Sequence, residues 1–302
     1  MPSVAVRSPA KINLCLGVGP VRRDGFHPLA TVYQAIDLYD EVRATLQAPD
    51  EFSVVTHSLA EEHPDVPVGI DNIAVRAALL LQEHTGVAAG AALSIRKEIP
   101  VAGGMAGGSS DAAAALVACN ELWGTGLSRA ELEPLAAQLG SDVPFLLHGG
   151  NAVGAGRGER VTPVLARGSY HWVVAVAHEG LSTAAVYAEF DRLTAARRLP
   201  EPVVPDTLMA AMRSGDPEQL GAALSNDLAE AALSLRPELQ DTLDMGAEVG
   251  ALGALVSGSG PTCLFLAEDE AHAMDIATAL AGTRLCSDVV QARGPVPGVR
   301  TI

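Results

Sequence analysis

The sequence predicts an α+β fold divided into two domains, and three observations support this. The chain has 302 residues, enough for about two domains. An alternating strand over 92–97 leads through a glycine-rich loop into an alanine-rich helix. Near the end of the chain, strands alternate with helices and include an antiparallel hairpin, which is typical of a ferredoxin-like α+β domain. The composition shifts near 167–169, so we expect domains over 1–167 and 168–302.

The glycine-rich loop reads Ile99-Pro-Val-Ala-Gly-Gly-Met-Ala-Gly-Gly-Ser-Ser-Asp111. Its glycines let the backbone turn sharply or approach a ligand closely. Ser109, Ser110 and Asp111 offer N-cap chemistry for a buried helix over 112–122. A strand, a glycine loop and a helix N-terminus together favour phosphate binding, although a plain tight turn with close helix packing explains the same residues. The loop is not a P-loop, because Ser109 stands where that motif has lysine, and its glycines do not fit G-x-G-x-x-G.

Local patterns place the remaining elements of the first domain. Asp71 is the expected N-cap of a helix that Gly86 ends, and Ser128 with Glu131 forms a capping box for a second helix. A loop over 26–28 leads into the segment 29–36. The predicted elements are two short strands within 4–16 interrupted at 8–9, a strand pair over 41–56, a polar loop over 57–70, helices over 71–85 and 128–140, and a hairpin over 151–164.

The second domain begins with a buried strand over 171–177, followed by a helix that Ser182 and Thr183 cap and that carries Tyr187. The stretch Ser257-Gly-Ser-Gly-Pro261 is a second glycine turn, able to close over something. The other predicted elements are helices over 206–213, 216–234, 237–249 and 269–281, and strands over 253–257, 262–267 and 286–292.

Five polar side chains are candidates for chemistry, each with a structural alternative. Lys11 and Asn13 fall on one face of a strand, as solvated edge residues also do. Lysine occurs only at Lys11 and Lys97 among 20 basic residues, either by chance or because a compact ammonium is needed where arginine would not fit. His27 lies on a loop, where it could touch a ligand or only water. Asp142 precedes Val-Pro and reads by itself as a helix N-cap.

The bulk charge excludes some partners. A net charge of −16 argues against nucleic acid and against an anionic membrane surface. An anionic ligand must therefore be held by a local arrangement of residues.

The four cysteines are scattered, with no C-x-x-C pair, which favours free thiols. The sequence also shows no signal-peptide h-region and no apolar run of membrane-spanning length, so we expect a cytoplasmic protein.

Three stretches together carry a resemblance to a known family. They are Pro9-Ala-Lys-Ile-Asn-Leu14, the glycine loop from Pro100 to Asp111, and Ser257-Gly-Ser-Gly-Pro-Thr-Cys263. In this order and spacing they resemble the three motifs of the GHMP kinases, which include galactokinase, homoserine kinase and mevalonate kinase. The resemblance covers the whole chain. It implies a GHMP two-domain fold, with a left-handed βαβ element in the N-terminal β/α domain and a ferredoxin-like C-terminal domain.

Within that family the likeness is greatest to members that act on a cytidine diphosphate ester of methylerythritol. It is carried by Arg23-Asp-Gly-Phe-His27 and Gly140-Ser-Asp-Val-Pro-Phe145. The resemblance implies phosphorylation of a tertiary hydroxyl, the 2-hydroxyl of the erythritol part, with ATP and Mg²⁺ in the non-mevalonate isoprenoid pathway. Phosphoryl transfer of this kind depends on positioning and charge neutralisation.

The resemblance also implies roles for individual residues. Asp142 matches the catalytic base and Lys11 its partner, and Ser109 or Ser110 can bind Mg²⁺ through its hydroxyl. Phe26 and Tyr187 match the aromatics around the cytosine; position 26 is commonly tyrosine, and phenylalanine keeps the stacking face but lacks the hydroxyl. The remaining substrate contacts are Asn13, His27 and Thr183. The positions implied for the nucleotide are Asn72, Lys97, Pro100, Val101, Ala102, Gly103, Gly104, Met105, Ala106, Gly107, Gly108, Ser109 and Ser110.

Two rival interpretations stay open from the sequence. A mevalonate-type or homoserine-type kinase would share the glycine loop but would not need Phe26, His27 and Tyr187 as a base-binding set. A non-catalytic nucleotide-binding relative would be expected to lack Lys11 or Asp142, and both are present. Without the resemblance, the residues support only a phosphate-binding α+β protein.

Overall fold

A computed structural model describes residues 1–58 and 66–302, and the predicted loop over 57–70 lies partly outside these ranges. The strands are β1 (Ser3–Val18), β2 (Leu29–Gln47), β3 (Phe52–Ser58), β4 (Gly90–Lys97), β5 (Asn151–Gly156), β6 (Arg160–Pro163), β7 (Tyr170–Val176), β8 (Ser225–Asn226), β9 (Gly253–Val256), β10 (Cys263–Ala267), β11 (Asp288–Gly294) and β12 (Arg300–Thr301). The helices are α1 (Ile73–Thr85), α2 (Gly107–Trp123), α3 (Arg129–Leu139), α4 (Val143–His148), α5 (Thr183–Thr194), α6 (Asp206–Ser214), α7 (Pro217–Ala223), α8 (Ala229–Leu235), α9 (Glu238–Glu248) and α10 (Glu270–Ala281).

Two long antiparallel strands, β1 and β2, organise the first sheet. The predicted interruption at Ser8-Pro9 is wrong, because β1 runs through it with a register shift between Pro9 and Ala10. A bulge tolerates proline, which cannot donate to the ladder. The segment 29–36 and the first part of the strand pair predicted over 41–56 form one continuous strand, β2. Lys11 and Asn13 are therefore buried in the interior of the sheet and are not solvated edge residues.

The first sheet follows the order β12-β1-β2-β4-β3, with β5 also pairing with β2. Strands β3 and β4 are parallel and are connected through α1, which makes a βαβ unit. Parallel neighbours need such a crossover. The predicted hairpin over 151–164 is confirmed as the antiparallel pair β5 and β6.

The starts of two helices differ from prediction. The N-cap of α1 is Asn72, whose side chain accepts from the Ala74 N–H, and not the predicted Asp71. Helix α2 begins at Gly107, so Ser109, Ser110 and Asp111 lie inside its first turns and do not cap it. The capping box of α3 at Ser128 is confirmed. One predicted helix, over 216–234, is divided into α7 and α8 by β8, which pairs with β1.

The second sheet has the order β11-β7-β10-β9, antiparallel throughout. In chain order this places the fourth strand beside the first and the third between the first and second. That arrangement, with α10 between β10 and β11, confirms the predicted ferredoxin-like domain. The α+β prediction is confirmed with it.

The core is built around α2, whose residues 110–120 are all buried. Their small side chains let α2 pack closely against α1 and against the first sheet. Strands β8 and β12 join the first sheet although both lie beyond residue 168, so the boundary at 167/168 stays a prediction. Among the described residues, no helix is long and apolar enough to cross a membrane.

Candidate active site

A cavity of about 1170 Å³ lies where the glycine loop, β1, α5 and the second glycine turn meet. We call the cavity-lining residues within 97–111, together with Asn72, the glycine end, and the group of Phe26, His27, Tyr187 and Asp191 the aromatic end. Most of the predicted site residues line this one cavity: Lys11, Asn13, Phe26, His27, Asn72, Lys97, Pro100, Val101, Ala102, Gly103, Gly104, Ala106, Gly107, Gly108, Ser109, Asp142, Thr183 and Tyr187.

Two of the predicted site residues do not line the cavity. Met105 is fully buried in the hydrophobic cluster beneath the loop. Ser110 is buried as well, and its hydroxyl donates to the Pro9 carbonyl at 3.1 Å. Of the two serines proposed for Mg²⁺, the structure therefore brings only Ser109 to the cavity.

The backbone of the glycine loop adopts a conformation that L-residues seldom take. Ala102 and Ala106 have φ of 54° and 60°, in the left-handed region, and Gly104 has φ of 76°. Non-glycine residues in this region are uncommon and concentrate at functional sites. Ala106 is the N-cap residue of α2 and has no side chain that could cap the helix. The first N–H groups of α2 are therefore available to an anion in the cavity.

Glycine is needed at two neighbouring positions for different reasons. A Cβ built on Gly104 would stand 2.2 Å from the Ser257 carbonyl oxygen, so the first glycine loop requires glycine to pack against the second glycine turn. A Cβ on Gly108 would have only Ile73 within 4 Å, at 3.7 Å, and would extend along the cavity wall. Gly108 is thus a position where a ligand can approach the backbone.

Lys97 lies under the glycine end in a buried cluster of charges. Its Nζ donates to Asp111 Oδ2 at 2.8 Å and to Asp40 Oδ2. Asp40 Oδ1 accepts from the backbone N–H groups of Glu98 and Ile99, which anchors the chain as it enters the loop. Two carboxyl groups share one ammonium in this cluster.

The charges of this cluster shift its pKa values. Burial alone would lower the pKa of Lys97, but the carboxylates of Asp111 and Asp40 outweigh it and raise that pKa. Burial raises the pKa of Asp111 well above its ordinary value, against the attraction of Lys97. The single ammonium therefore does not compensate fully for burying both carboxyl groups.

Lys11 and Asp142 face each other in the middle of the cavity. Lys11 Nζ lies 3.8 Å from Asp142 Oδ2 and donates to Asn13 Oδ1 at 2.7 Å and to the Gly104 carbonyl at 3.2 Å. Asp142 occupies the N-cap position of α4, yet its side chain makes no capping hydrogen bond. Its carboxylate is thus directed at Lys11, and the capping interpretation of Asp142 loses its main support.

The surroundings hold this pair in place. Asn13 Nδ2 donates to Thr31 Oγ1 at 2.7 Å, and the Thr31 hydroxyl donates to the Cys15 carbonyl. The Lys11 side chain is only 6% exposed, whereas that of Asp142 is 28% exposed. Burial and the nearby Asp142 carboxylate raise the pKa of Tyr33 well above its ordinary value. A rigid ammonium therefore stands beside a carboxylate that a ligand can reach.

The aromatic end is made of side chains from two distant parts of the chain. His27 packs against Tyr187 with ring centroids 5.2 Å apart and against Phe190 at 5.8 Å. Burial raises the pKa of Tyr187 to about 12, with a contribution from Asp142. The Phe26 ring is 48% exposed, and Arg157 stacks over it at 3.7 Å from the centroid. Flat rings and polar tips together suit a planar polar ligand.

The second glycine turn joins the two ends. Ser257 Oγ donates to the Gly104 carbonyl at 3.3 Å, and Thr183 Oγ1 hydrogen-bonds Ser259 Oγ at 2.9 Å. The turn thus contacts the glycine loop and the start of α5 together.

Comparison with known proteins identifies the family. The family model "GHMP kinases N terminal domain" matches residues 72–150, and "GHMP kinases C terminal" matches 208–283. A protein of Thermobifida fusca (strain YX), 4-diphosphocytidyl-2-C-methyl-D-erythritol kinase, is 53% identical over 99% of this chain and 98% of its own length. The chain belongs to the GHMP kinases, in the 4-diphosphocytidyl-2-C-methyl-D-erythritol kinase family. It is accordingly an ATP-dependent small-molecule kinase.

Solved structures agree with the assignment of this chain to the GHMP kinases. A crystal structure of 4-(cytidine 5′-diphospho)-2C-methyl-D-erythritol kinase superposes with a TM-score of 0.75 at 32% identity, covering 96% of this chain and 98% of the other. A homoserine kinase from Cytophaga hutchinsonii ATCC 33406 superposes with a TM-score of 0.77 at 19% identity, covering 100% and 98%. The second likeness shows the fold alone.

The roles of several residues in and around this kinase's cavity were not predicted from the sequence. Asp191 lies one helical turn after Tyr187, a spacing that places both on one face of α5. Asp111 ends the glycine motif, but nothing local showed that it pairs with Lys97. Asp40 and Arg157 carry no local signal at all, because their partners are more than 50 residues away in the chain.

Proposed function

We propose that this kinase transfers the γ-phosphoryl group of ATP to the 2-hydroxyl of 4-diphosphocytidyl-2-C-methyl-D-erythritol. The observation that carries the proposal is the position of the Lys11–Asp142 pair, between a glycine end suited to phosphates and an aromatic end suited to a nucleobase. The 53% identity to a kinase named for this substrate supports the same choice. The phosphorylated ester would serve the non-mevalonate isoprenoid pathway.

Asp142 is the proposed general base. A hydroxyl nucleophile needs a group within hydrogen-bond reach that accepts its proton. The Asp142 carboxylate is partly exposed to the cavity and is not occupied by helix capping. Lys11 would stabilise both this carboxylate and the alkoxide character that develops on the substrate oxygen. Asn13 keeps the Lys11 ammonium directed into the cavity, so we assign Asn13 a positioning role beside its proposed substrate contact.

The glycine end is the proposed triphosphate site. The N–H groups at the start of α2 and the positive end of its dipole would hold the phosphates. Asn72 and Lys97 border the same wall, close to the place proposed for the adenine. The ammonium of Lys97 is occupied by two carboxyl groups, so we propose that Lys97 supports the loop and does not bind phosphate through its charge.

The donor set of the cavity fits a magnesium ion carried by the nucleotide. Mg²⁺ takes oxygen ligands, usually one or two from the protein besides the phosphates. Ser109 lines the cavity. Its Oγ lies 3.8 Å from the position that a Cβ on Gly140 would take, and Gly140 precedes Asp142 by two residues. We propose Ser109 as a ligand of this ion. When bound, Mg²⁺ would neutralise charge on the transferring phosphoryl group.

The aromatic end is the proposed cytidine site. Phe26 and Tyr187 would stack on the base, while His27 would contact its polar edge. Arg157 already covers one face of Phe26, so the base would stack on the other face or displace the guanidinium. Thr183 would contact the substrate from the start of α5.

The test is a coupled ADP-release assay with ATP and Mg²⁺ across candidate alcohols. We expect turnover with the cytidine diphosphate ester and little with mevalonate, homoserine or methylerythritol phosphate. Phosphorus NMR of the product should show a new phosphomonoester on the tertiary carbon. Equal turnover with methylerythritol phosphate would remove the cytidine site from the proposal, and preferred turnover of mevalonate or homoserine would replace the substrate.

The four free cysteines also support a cytosolic location, since a reducing compartment keeps thiols free.

A further inference from the structure

The polar edge of the aromatic end contains an unusual pair of groups. His27 Nε2 lies 3.5 Å from Asp191 Oδ1, and both residues line the cavity. The His27 side chain is 5% exposed and is packed between Tyr187 and Phe190, whereas Asp191 is 47% exposed. A fixed imidazole nitrogen and an accessible carboxylate oxygen therefore face the same space.

The contact of the other ring nitrogen, Nδ1, determines which nitrogen of His27 carries the proton in the neutral ring. His27 Nδ1 lies 2.8 Å from the Gly19 carbonyl oxygen. A carbonyl only accepts hydrogen bonds, so Nδ1 must be the donor. In the neutral ring Nε2 is then an acceptor. Asp191 is also an acceptor when ionised. With the ring neutral, His27 Nε2 and Asp191 Oδ1 are two acceptors that face one space with no proton between them.

Such a pair is completed by a ligand group that carries two N–H donors. The exocyclic amino group of cytosine is of this kind, and an aspartate is a known type of acceptor for it. One N–H can go to His27 Nε2 and the other to Asp191 Oδ1. Uracil presents a carbonyl oxygen at the same place, which would bring a third acceptor against the first two. The buried His27 nitrogen would then have no donor, and an unmatched buried polar group is costly.

We propose that Asp191 is a specificity-determining residue, which with His27 selects cytosine over uracil through the exocyclic amino group. The inference rests on the proposed function, because it takes the cytidine diphosphate ester as the substrate. It adds a residue and a reason for the choice of base: stacking on Phe26 and Tyr187 accepts any pyrimidine, so discrimination requires the polar edge.

The experiment compares Asp191→Asn with the unmodified enzyme on the cytidine ester and on the corresponding uridine ester. We expect the unmodified enzyme to prefer cytidine by roughly 100-fold or more in kcat/KM. In Asp191→Asn this preference should shrink by roughly tenfold or more, because an asparagine amide can donate to the uracil oxygen. The change should lie mainly in KM for the ester, with KM for ATP unchanged.

Glu189→Gln is the matched control. Glu189 lies on the same helix but pairs with Arg192 and Ser234 and does not line the cavity. It should leave the preference unchanged. An Asp191→Asn enzyme that keeps the full preference, or that loses both esters equally, would overturn the inference, as would an unmodified enzyme that uses both esters equally.

Binding of cytidine 5′-diphosphate and uridine 5′-diphosphate, measured by calorimetry, separates this inference from the proposed function. If neither ester is phosphorylated, the proposed function fails, while the ratio of the two dissociation constants still reports on Asp191. We expect that ratio to favour cytidine in the unmodified enzyme and to fall in Asp191→Asn. An unchanged ratio would again overturn the inference.

Discussion

The two ends of the cavity present different kinds of surface to a ligand. The glycine end presents backbone: a left-handed loop, an uncapped helix start and glycines that keep the surface bare. The aromatic end presents side chains, with His27 held between rings and Asp191 exposed at the edge. The first suits the phosphates that every member of a kinase family shares, and the second suits one particular alcohol. The proposed site of the shared phosphoryl-transfer reaction and the proposed site of substrate selection thus lie in separate parts of the fold.

The largest effect is expected where the two ends meet. Asp142→Asn should lower kcat by roughly 10²–10⁴ with little change in either KM, because the amide cannot accept the hydroxyl proton. The free energy of unfolding should change by less than about 1 kcal/mol, because the Asp142 side chain makes no capping hydrogen bond that asparagine would lose. Steady-state kinetics and a thermal melt check both points.

Lys11→Met is the companion to that variant. It should cause a comparable loss, and the double variant should lose much less than the product of the two single losses, because the pair acts as a unit. An Asp142→Asn enzyme with full activity would return Asp142 to a purely structural role.

Removing the buried ammonium of Lys97 should lower the stability of the protein. Lys97→Met leaves Asp40 and Asp111 buried without their ammonium, which should cost about 3–5 kcal/mol in the free energy of unfolding. Asp111→Asn is the contrasting variant: it removes the second carboxylate and keeps the Lys97–Asp40 pair. It should cost less than about 1 kcal/mol. Equal losses in denaturant melts of the two variants would mean that both carboxyl groups are needed.

A change at the glycine end should affect only the nucleotide. Gly108→Val should raise KM for ATP roughly 10–100-fold, because the new side chain would cover the backbone where the phosphates are proposed to sit. The fold should survive, since a Cβ there meets only Ile73 at 3.7 Å. Calorimetric titration of ATP and an unfolding curve measure the two effects. Normal ATP affinity would show that the loop is a structural turn.

The smallest expected effect lies at the aromatic end. Tyr187→Ala should raise KM for the cytidine ester roughly tenfold, because a stacked aromatic contributes about 1–3 kcal/mol per base. KM for ATP should stay nearly constant, in contrast to Gly108→Val. If both KM values rose together, the two ends would not be independent, and the division drawn above would fail.

Much of the architecture could be predicted from local patterns. The glycine loop between a strand and a buried helix, the capping box at Ser128, the hairpin over 151–164 and the ferredoxin-like order all depend on neighbouring residues. The errors share one physical origin. Pro9 suggests an end to a strand, but the partner strand accommodates a bulge there. Residues 216–234 have a helical pattern, but pairing of β8 with β1 divides them.

The sequence by itself determined the family, the glycine loop and the candidates Lys11 and Asp142, because these are carried by short motifs of fixed spacing. The tertiary structure alone decided how their side chains are used. It placed the Asp142 carboxylate against Lys11 without a capping hydrogen bond to its helix, and it paired the Lys97 ammonium with two carboxyl groups. It also set Asp191 beside His27, 164 positions earlier in the chain. Such contacts depend on folding distant segments together, and no local pattern encodes them.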